Sequence, residues 1–248
     1  MKIKNILLAM LLIASTICHA QDAVNDAAEA YSKGDFKKAI TVYESLLKEG
    51  ESAPLHYNLG NAYYKDGQNA RAILNYEKSL LINPGNGDAR FNLELARTKV
   101  IDKIEPVGDF FLVSWKESLQ SQMSVRGWAV MGIILFILFI VFTVLFIFSR
   151  ISWLKKVSFF VGIFLFLFTL AANSFAYSLH KQLTNRNTAI IMAPSVTVKS
   201  SPDNSGTDLF ILHDGTKVEI RSKLSDWSEI QLENGSVGWL PSSSFVVI

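Results

Sequence analysis

Ile133-Ile134-Leu135-Phe136-Ile137-Leu138-Phe139-Ile140-Val141-Phe142 is apolar on every side of a helix, so no half-exposed position on a soluble protein suits it. It lies inside the block Trp128 to Phe148. A second block, Val157 to Leu179, follows the connection Arg150-Ile151-Ser152-Trp153-Leu154-Lys155-Lys156. Each block is about the twenty residues that cross the roughly 30 Å hydrocarbon core of a bilayer as a helix, and neither holds a charge. The alternative, a buried core helix, would need a large soluble domain around it, and the rest of the chain offers none. The pair reads as a transmembrane hairpin, with spans over 127–149 and 157–180 and a loop over 150–156.

The loop carries Arg150, Lys155 and Lys156 without an acidic partner, while the outer flanks, Lys116 to Arg126 and His180 to Arg186, are more dilute and include Glu117. The positive-inside bias places the loop in the cytoplasm and both ends of the chain across the membrane. The amino terminus agrees. Lys2 and Lys4 precede the apolar run Ile6 to Ile13, and Cys18-His19-Ala20 is a small-x-small cleavage site before Gln21, so 1–20 reads as a secretory signal. A lipoprotein signal is the competing reading of Cys18, but Ile17 stands where such a site wants a small residue. Cys18 is the only cysteine, so the processed chain would have no disulfide and no redox-active thiol.

Half of the 248 residues are hydrophobic, and that excess is concentrated in the hairpin and the amino terminus. The soluble parts must then be small modules. Lys and Arg number 24 against 22 Asp and Glu, and setting aside Lys2 and Lys4 leaves 22 against 22. This balance, without a basic stripe, argues against nucleic acid as a partner.

Between 21 and 104 the chain repeats itself. Gly34-Asp35-Phe36-Lys37-Lys38-Ala39-Ile40-Thr41-Val42-Tyr43 recurs thirty-three residues later as Gly67-Gln68-Asn69-Ala70-Arg71-Ala72-Ile73-Leu74-Asn75-Tyr76, the mark of a solenoid. Leu59, Gly60 and Tyr63 share one face of a first helix, and Ala72 and Tyr76 share one face of a second. Gly60 and Ala72 let the backbones approach, the tyrosines fill the space beside them, and Pro84 with Gly85 ends the second helix. Tyr57-Asn58-Leu59-Gly60-Asn61-Ala62-Tyr63-Tyr64-Lys65, with Ala72, Tyr76 and Pro84, resembles a nearly complete tetratricopeptide repeat. The copy over Ala27 to Gly50 is looser. Asp88 to about Lys103 reads as a capping or partial third helix whose Phe91, Leu93, Leu95 and Ala96 cover the end of the stack, with Glu94 where the repeat has its small residue.

The resemblance implies an α-helical scaffold that takes a peptide or helix along its concave face. Tyr57, Asn58, Asn61, Tyr64 and Lys65, with Asn92 from the next helix, are the residues expected there, although Asn58 and Asn61 also belong to the generic repeat pattern. Some such repeats clamp a carboxyl terminus with Lys and Arg. The first helix here offers only Val24 and Ala28 toward that region.

Over 105–126, Glu105-Pro106-Val107-Gly108 breaks the preceding helix. Phe110, Phe111, Leu112, Trp115, Leu119 and Met123 then recur at helical spacing among polar residues. The stretch suits an amphipathic helix in the membrane interface, with Trp115 at headgroup depth, and equally a helix packed beneath the repeats. Inside the hairpin, Asn173 is a candidate for a hydrogen bond to a neighbouring helix. A channel or transporter would need more spans and ionisable residues at depth.

Over 186–248 the chain turns to short β-rich runs: Ala189 to Met192, Val196 to Lys199, Lys217 to Lys223, Trp227 to Leu232 and Val237 to Leu240. Asn234-Gly235 between the last two signals a hairpin, and the spacing predicts a small β-barrel. Val196-Thr197-Val198-Lys199-Ser200-Ser201-Pro202, Leu212-His213-Asp214-Gly215-Thr216-Lys217-Val218, Asp226-Trp227-Ser228-Glu229-Ile230 and Gly235-Ser236-Val237-Gly238-Trp239-Leu240 together resemble a bacterial SH3-like domain. Such domains serve as targeting or interaction modules for cell-wall peptide or for proteins. Trp227 and Trp239 are then either core or a ligand platform.

No catalytic constellation emerges. His19, His56, His180 and His213 are scattered without metal-ligand spacing, and no nucleophile-elbow or phosphate-loop pattern occurs. The acidic residues read as solvated helix faces and turns. The chain is expected to be no enzyme and to need no cofactor or metal.

The order of parts, together with Asp88-Ala89-Arg90-Phe91-Asn92-Leu93-Glu94-Leu95-Ala96, resembles the BatE-like tetratricopeptide proteins of the Bat aerotolerance systems of Bacteroidetes. That resemblance implies a non-enzymatic scaffold in the bacterial inner membrane with both soluble modules in the periplasm. Its partners would be membrane and periplasmic proteins carrying von Willebrand factor A domains, in a pathway tied to oxidative stress. The runner-up is a cell-wall tether that binds peptidoglycan through the SH3-like module. The expected architecture is thus a multidomain membrane protein: tetratricopeptide solenoid, two-helix transmembrane hairpin and small all-β SH3-like barrel.

Overall fold

The computed structural model describes residues 22–105, 108 and 111–248. The signal-like stretch over 1–20 lies outside the described residues, as do Pro106, Val107 and Phe110. The chain divides into two compact units. One combines the residues up to Leu80, those from Asn86 to the end of the repeat region, and Asn187–Ile248; the other combines Leu81–Gly85 and Gly108–Arg186.

In the first unit, helix α1 over 22–32 is followed by α2 (Phe36–Glu49), α3 (Ala53–Lys65), α4 (Asn69–Ile82) and α5 (Gly87–Arg97). Side chains set the starts. Asp35 accepts from the Lys38 amide at 3.1 Å, Ser52 from Leu55 at 3.4 Å and Asn86 from Ala89 at 3.1 Å, each occupying an amide the helix leaves without a partner. The α3–α4 contact is close because Gly60 has no side chain: a Cβ there would stand 2.7 Å from the Tyr76 ring. Leu59, Tyr63, Ala72 and Tyr76 are buried around it, and Pro84 lies in the turn after α4. On α5, Ala89, Leu93 and Ala96 are buried, but Phe91 and Leu95 are 67% and 43% exposed. These two do not cover the end of the stack as expected. They stand opposite the buried face of α5, where a further helix of a longer solenoid would pack.

The same unit contains an antiparallel sheet of strands β1 (Thr188–Ile191), β2 (Ser195–Lys199), β3 (Asp208–His213), β4 (Lys217–Leu224), β5 (Trp227–Gln231), β6 (Val237–Pro241) and β7 (Phe245–Val247). Their spatial order is β3-β2-β6-β5-β4-β1-β7. Ala189, Ile191, Val198, Leu212, Val218, Ile230, Leu232 and Leu240 form its core. The β5–β6 hairpin turns at Asn234-Gly235 as expected, with Glu229 opposite Trp239 and Trp227 opposite Pro241. Strands β3 and β7 are additional to the expected runs.

The second unit consists mainly of α6 (Phe111–Gln120), α7 (Val125–Phe148) and α8 (Ser152–Thr184). At 24 and 33 residues, α7 and α8 are long and apolar enough to cross a membrane. They pack on each other through ring pairs such as Trp128–Phe175 at 4.9 Å and Phe139–Phe166 at 5.4 Å. Only 6% and 17% of their most apolar windows are buried, unlike the core helix of a soluble domain. The turn between them is shorter than expected, because α8 begins at Ser152 and takes Lys155 and Lys156 into its first turns. Asn173 donates to the carbonyl of Thr169 in its own helix at 2.8 Å rather than across the pair. It fits because Gly132 faces it; a Cβ at Gly132 would lie 3.0 Å from its Nδ2. On α6, Phe111, Leu112, Trp115 and Leu119 are exposed, and its last carbonyl, that of Gln120, accepts from the Trp128 indole at 2.9 Å.

Candidate partner-binding surfaces

One face of α3 carries Tyr57, Asn58, Asn61, Tyr64 and Lys65 at helical spacing, beside Asn92 of α5. These residues divide by what they touch. The Asn61 carboxamide oxygen accepts from the Tyr76 hydroxyl and from Asn92 Nδ2, both at 2.8 Å, so Asn61 and Asn92 tie three helices together and leave the Asn61 amide donors for another group. The Tyr57 ring lies 6.3 Å from that of Tyr76. Lys99, which the sequence reading passed over, places its ammonium 3.9 Å above the Tyr64 ring, a cation–π contact. Asn58 is half-buried and Lys65 exposed. Beneath them, burial raises the hydroxyl of Tyr63 to about 12, helped by its bond to Glu44, and burial also raises that of Tyr76. Both therefore stay protonated and able to donate.

In the sheet, Trp227 and Trp239 alternate with buried Ser228, Ile230, Gly238 and Leu240. Alternation along a strand puts them on the outer face, where they are diagonal neighbours across the β5–β6 pair. Lys199 sits opposite Trp239. It is occupied locally, reaching Asp208 at 2.7 Å and the Gly206 carbonyl at 3.2 Å, and so pins the loop between β2 and β3.

A third surface joins the repeats to the sheet, and two acidic residues make it. Neither is on a solvated face, contrary to expectation. Glu77 of α4, 8% exposed, accepts from Arg97 of α5 at 2.5 Å and from Lys217 of β4 at 2.9 Å. Burial pushes its carboxyl up, but the two cations outweigh that and hold it below the usual carboxylate range. Asp102, just past α5, accepts from the His213 amide at 2.7 Å, from His213 Nδ1 at 2.8 Å and from the Thr216 hydroxyl at 2.6 Å. Burial opposes ionisation here too, and the bonds to Thr216 and His213 win. Between these pairs Gly215, at φ +88°, lets the β3–β4 turn meet the helices; a Cβ on it would stand 3.0 Å from Val100 and 3.2 Å from Ile73. Beside the junction opens a cleft of about 770 Å³ lined by α2, α3 and α4 and by Met192 and Asp214. In its wall Asn75 donates to the Arg71 carbonyl at 2.9 Å, which turns its oxygen toward His56 Nδ1, also at 2.9 Å.

Among the described residues no group of three or more His, Cys, Asp or Glu is placed to hold a metal ion. Residues 53–86 match the tetratricopeptide repeat family. Residues 194–247 match the bacterial SH3 domain family. No curated protein matches the chain.

Proposed function

We propose that this protein is a membrane-anchored, periplasm-facing scaffold, without enzymatic activity, that holds partner proteins on the α3–α5 face of its repeats. The observation that carries the reading is the pairing of modules from either side of the hairpin. The repeats before α7 and the SH3 domain after α8 share one compact unit. Both must therefore lie on one side of any membrane, and two crossings return the chain to the side it left. The charge bias of the loop then selects the periplasm, and the exposed apolar residues of α6 suit the bilayer interface. Tetratricopeptide repeats are protein-interaction modules, and the α3 face offers amide donors, tyrosine rings and lysines suited to a polypeptide. The order of parts supports a place in a Bat-type complex with proteins bearing von Willebrand factor A domains, linked to aerotolerance.

The test is affinity purification from gently solubilised membranes. Asn61 supports the packing of the repeats, so Asn58→Ala/Lys65→Glu is the variant that alters the face and spares the fold. Membrane or periplasmic proteins should co-purify with the unaltered chain and fall at least about tenfold with the variant, as expected if a central contact is lost. Equal recovery from both would contradict the reading. A second reading, a tether to peptidoglycan, is favoured by the outward placement of Trp227 and Trp239. Retention on purified sacculi that is lost in Trp227→Ala/Trp239→Ala would support it.

A further inference from the structure

We infer that the β3–β4 turn of the SH3-like module is itself a binding surface, and that its ligand is the chain's own segment Val100–Ile104. This segment follows the turn that ends α5 and belongs to no helix or strand. Alternate residues on it have different surroundings. Val100 is buried and faces Gly215, Asp102 binds His213 and Thr216, and Ile104 packs on the core of the sheet. Ile101, Lys103 and Glu105 between and beyond them are exposed. A period of two is that of a strand laid on a surface. One face of the segment is thus matched to the sheet domain by an apolar contact, a carboxylate with three donors and a second apolar contact.

The turn is shaped to receive it. Gly215 supplies both the left-handed conformation and the missing side chain that let Val100 approach. The His213 amide, directed out of the turn, is taken by Asp102 rather than by water. Glu77, bridging Arg97 and Lys217, adds a second fastening from α4. The consequence is mechanical: the SH3-like module braces the repeats instead of swinging beside them as an independent second hand. A partner protein does not reach the β3–β4 turn while the segment is seated, whereas the outer tryptophan face stays open. None of this depends on which partner the repeats hold.

Hydrogen exchange on the full chain in detergent micelles, read by mass spectrometry, tests the assignment. Asp102→Ala should speed exchange across 212–218, on the other module, by about tenfold or more, the factor that one lost charge-assisted hydrogen bond allows. Reciprocally, Lys217→Ala should speed exchange in 98–104 and at the end of α4. Lys217 is 30% exposed, so this variant keeps the test open should Asp102→Ala fail to fold. Effects confined to the mutated module would overturn the inference. So would exchange in 98–104 of the unaltered protein as fast as in unstructured chain.

Discussion

Gly60 and Tyr76 show how one absent side chain sets the repeat. The tyrosine ring fills the volume a Cβ would need, and its hydroxyl reaches past to Asn61. Replacing Gly60 by Ala should push the ring aside and cost about 1–3 kcal/mol, the range for overpacking a filled core. The urea midpoint of the repeats would fall accordingly, and an unchanged midpoint would contradict the packing described. Asn61 carries the opposite lesson. Its expected place on the concave face suggested a ligand contact, while the generic repeat pattern pointed to a structural role, and its oxygen is committed to Tyr76 and Asn92. A residue's spacing gives its face on the helix, whereas the partner of its polar atoms depends on neighbours from other helices.

At the scale of elements, what could be read in advance was what local pattern encodes. The thirty-three-residue period located α2 and α4, the unbroken apolar runs located α7 and α8, and Asn234-Gly235 located the β5–β6 turn. Strand β3 was harder because Leu209 and Ile211 are apolar but exposed, which blurs the alternation. The junction was illegible. Lys217 meets Glu77 across 140 positions, and His213 meets Asp102 across 111, so no window of sequence contains either pair. These carboxylates predict a pH response. Both native pKa values are depressed from ordinary values of 4.5 and 3.8, so their contribution is fully present above those values and is lost as pH falls through the depressed native ones. Faces opposing them are Arg97 and Lys217 around Glu77, and His213 and Thr216 around Asp102. Protection against exchange across 98–104 and 212–218, taken relative to the intrinsic rate at each pH, should therefore fall below about pH 4. In Glu77→Gln/Asp102→Asn the junction should be weakened at neutral pH and respond much less to acid; an identical acid response in both proteins would contradict the assignment.

At the scale of the whole molecule, connectivity restricts topology more than composition does. Two helices of sufficient length and hydropathy are weak evidence of a membrane span when taken alone. Here they separate two modules that fold into one body, and an even number of crossings is what lets a chain leave a compartment and return to the same partner surface. A single crossing would strand the SH3-like module away from Asp102 and Glu77. The side on which the body lies is the claim every other part of the functional reading depends on. The direct measurement is labelling with a membrane-impermeant maleimide on intact spheroplasts, using Lys65→Cys, Ser243→Cys and Lys155→Cys singly in a Cys18→Ser background. The account predicts rapid labelling at positions 65 and 243, and labelling at 155 only after lysis. Labelling at 155 in intact spheroplasts, or opposite behaviour of 65 and 243, would contradict it.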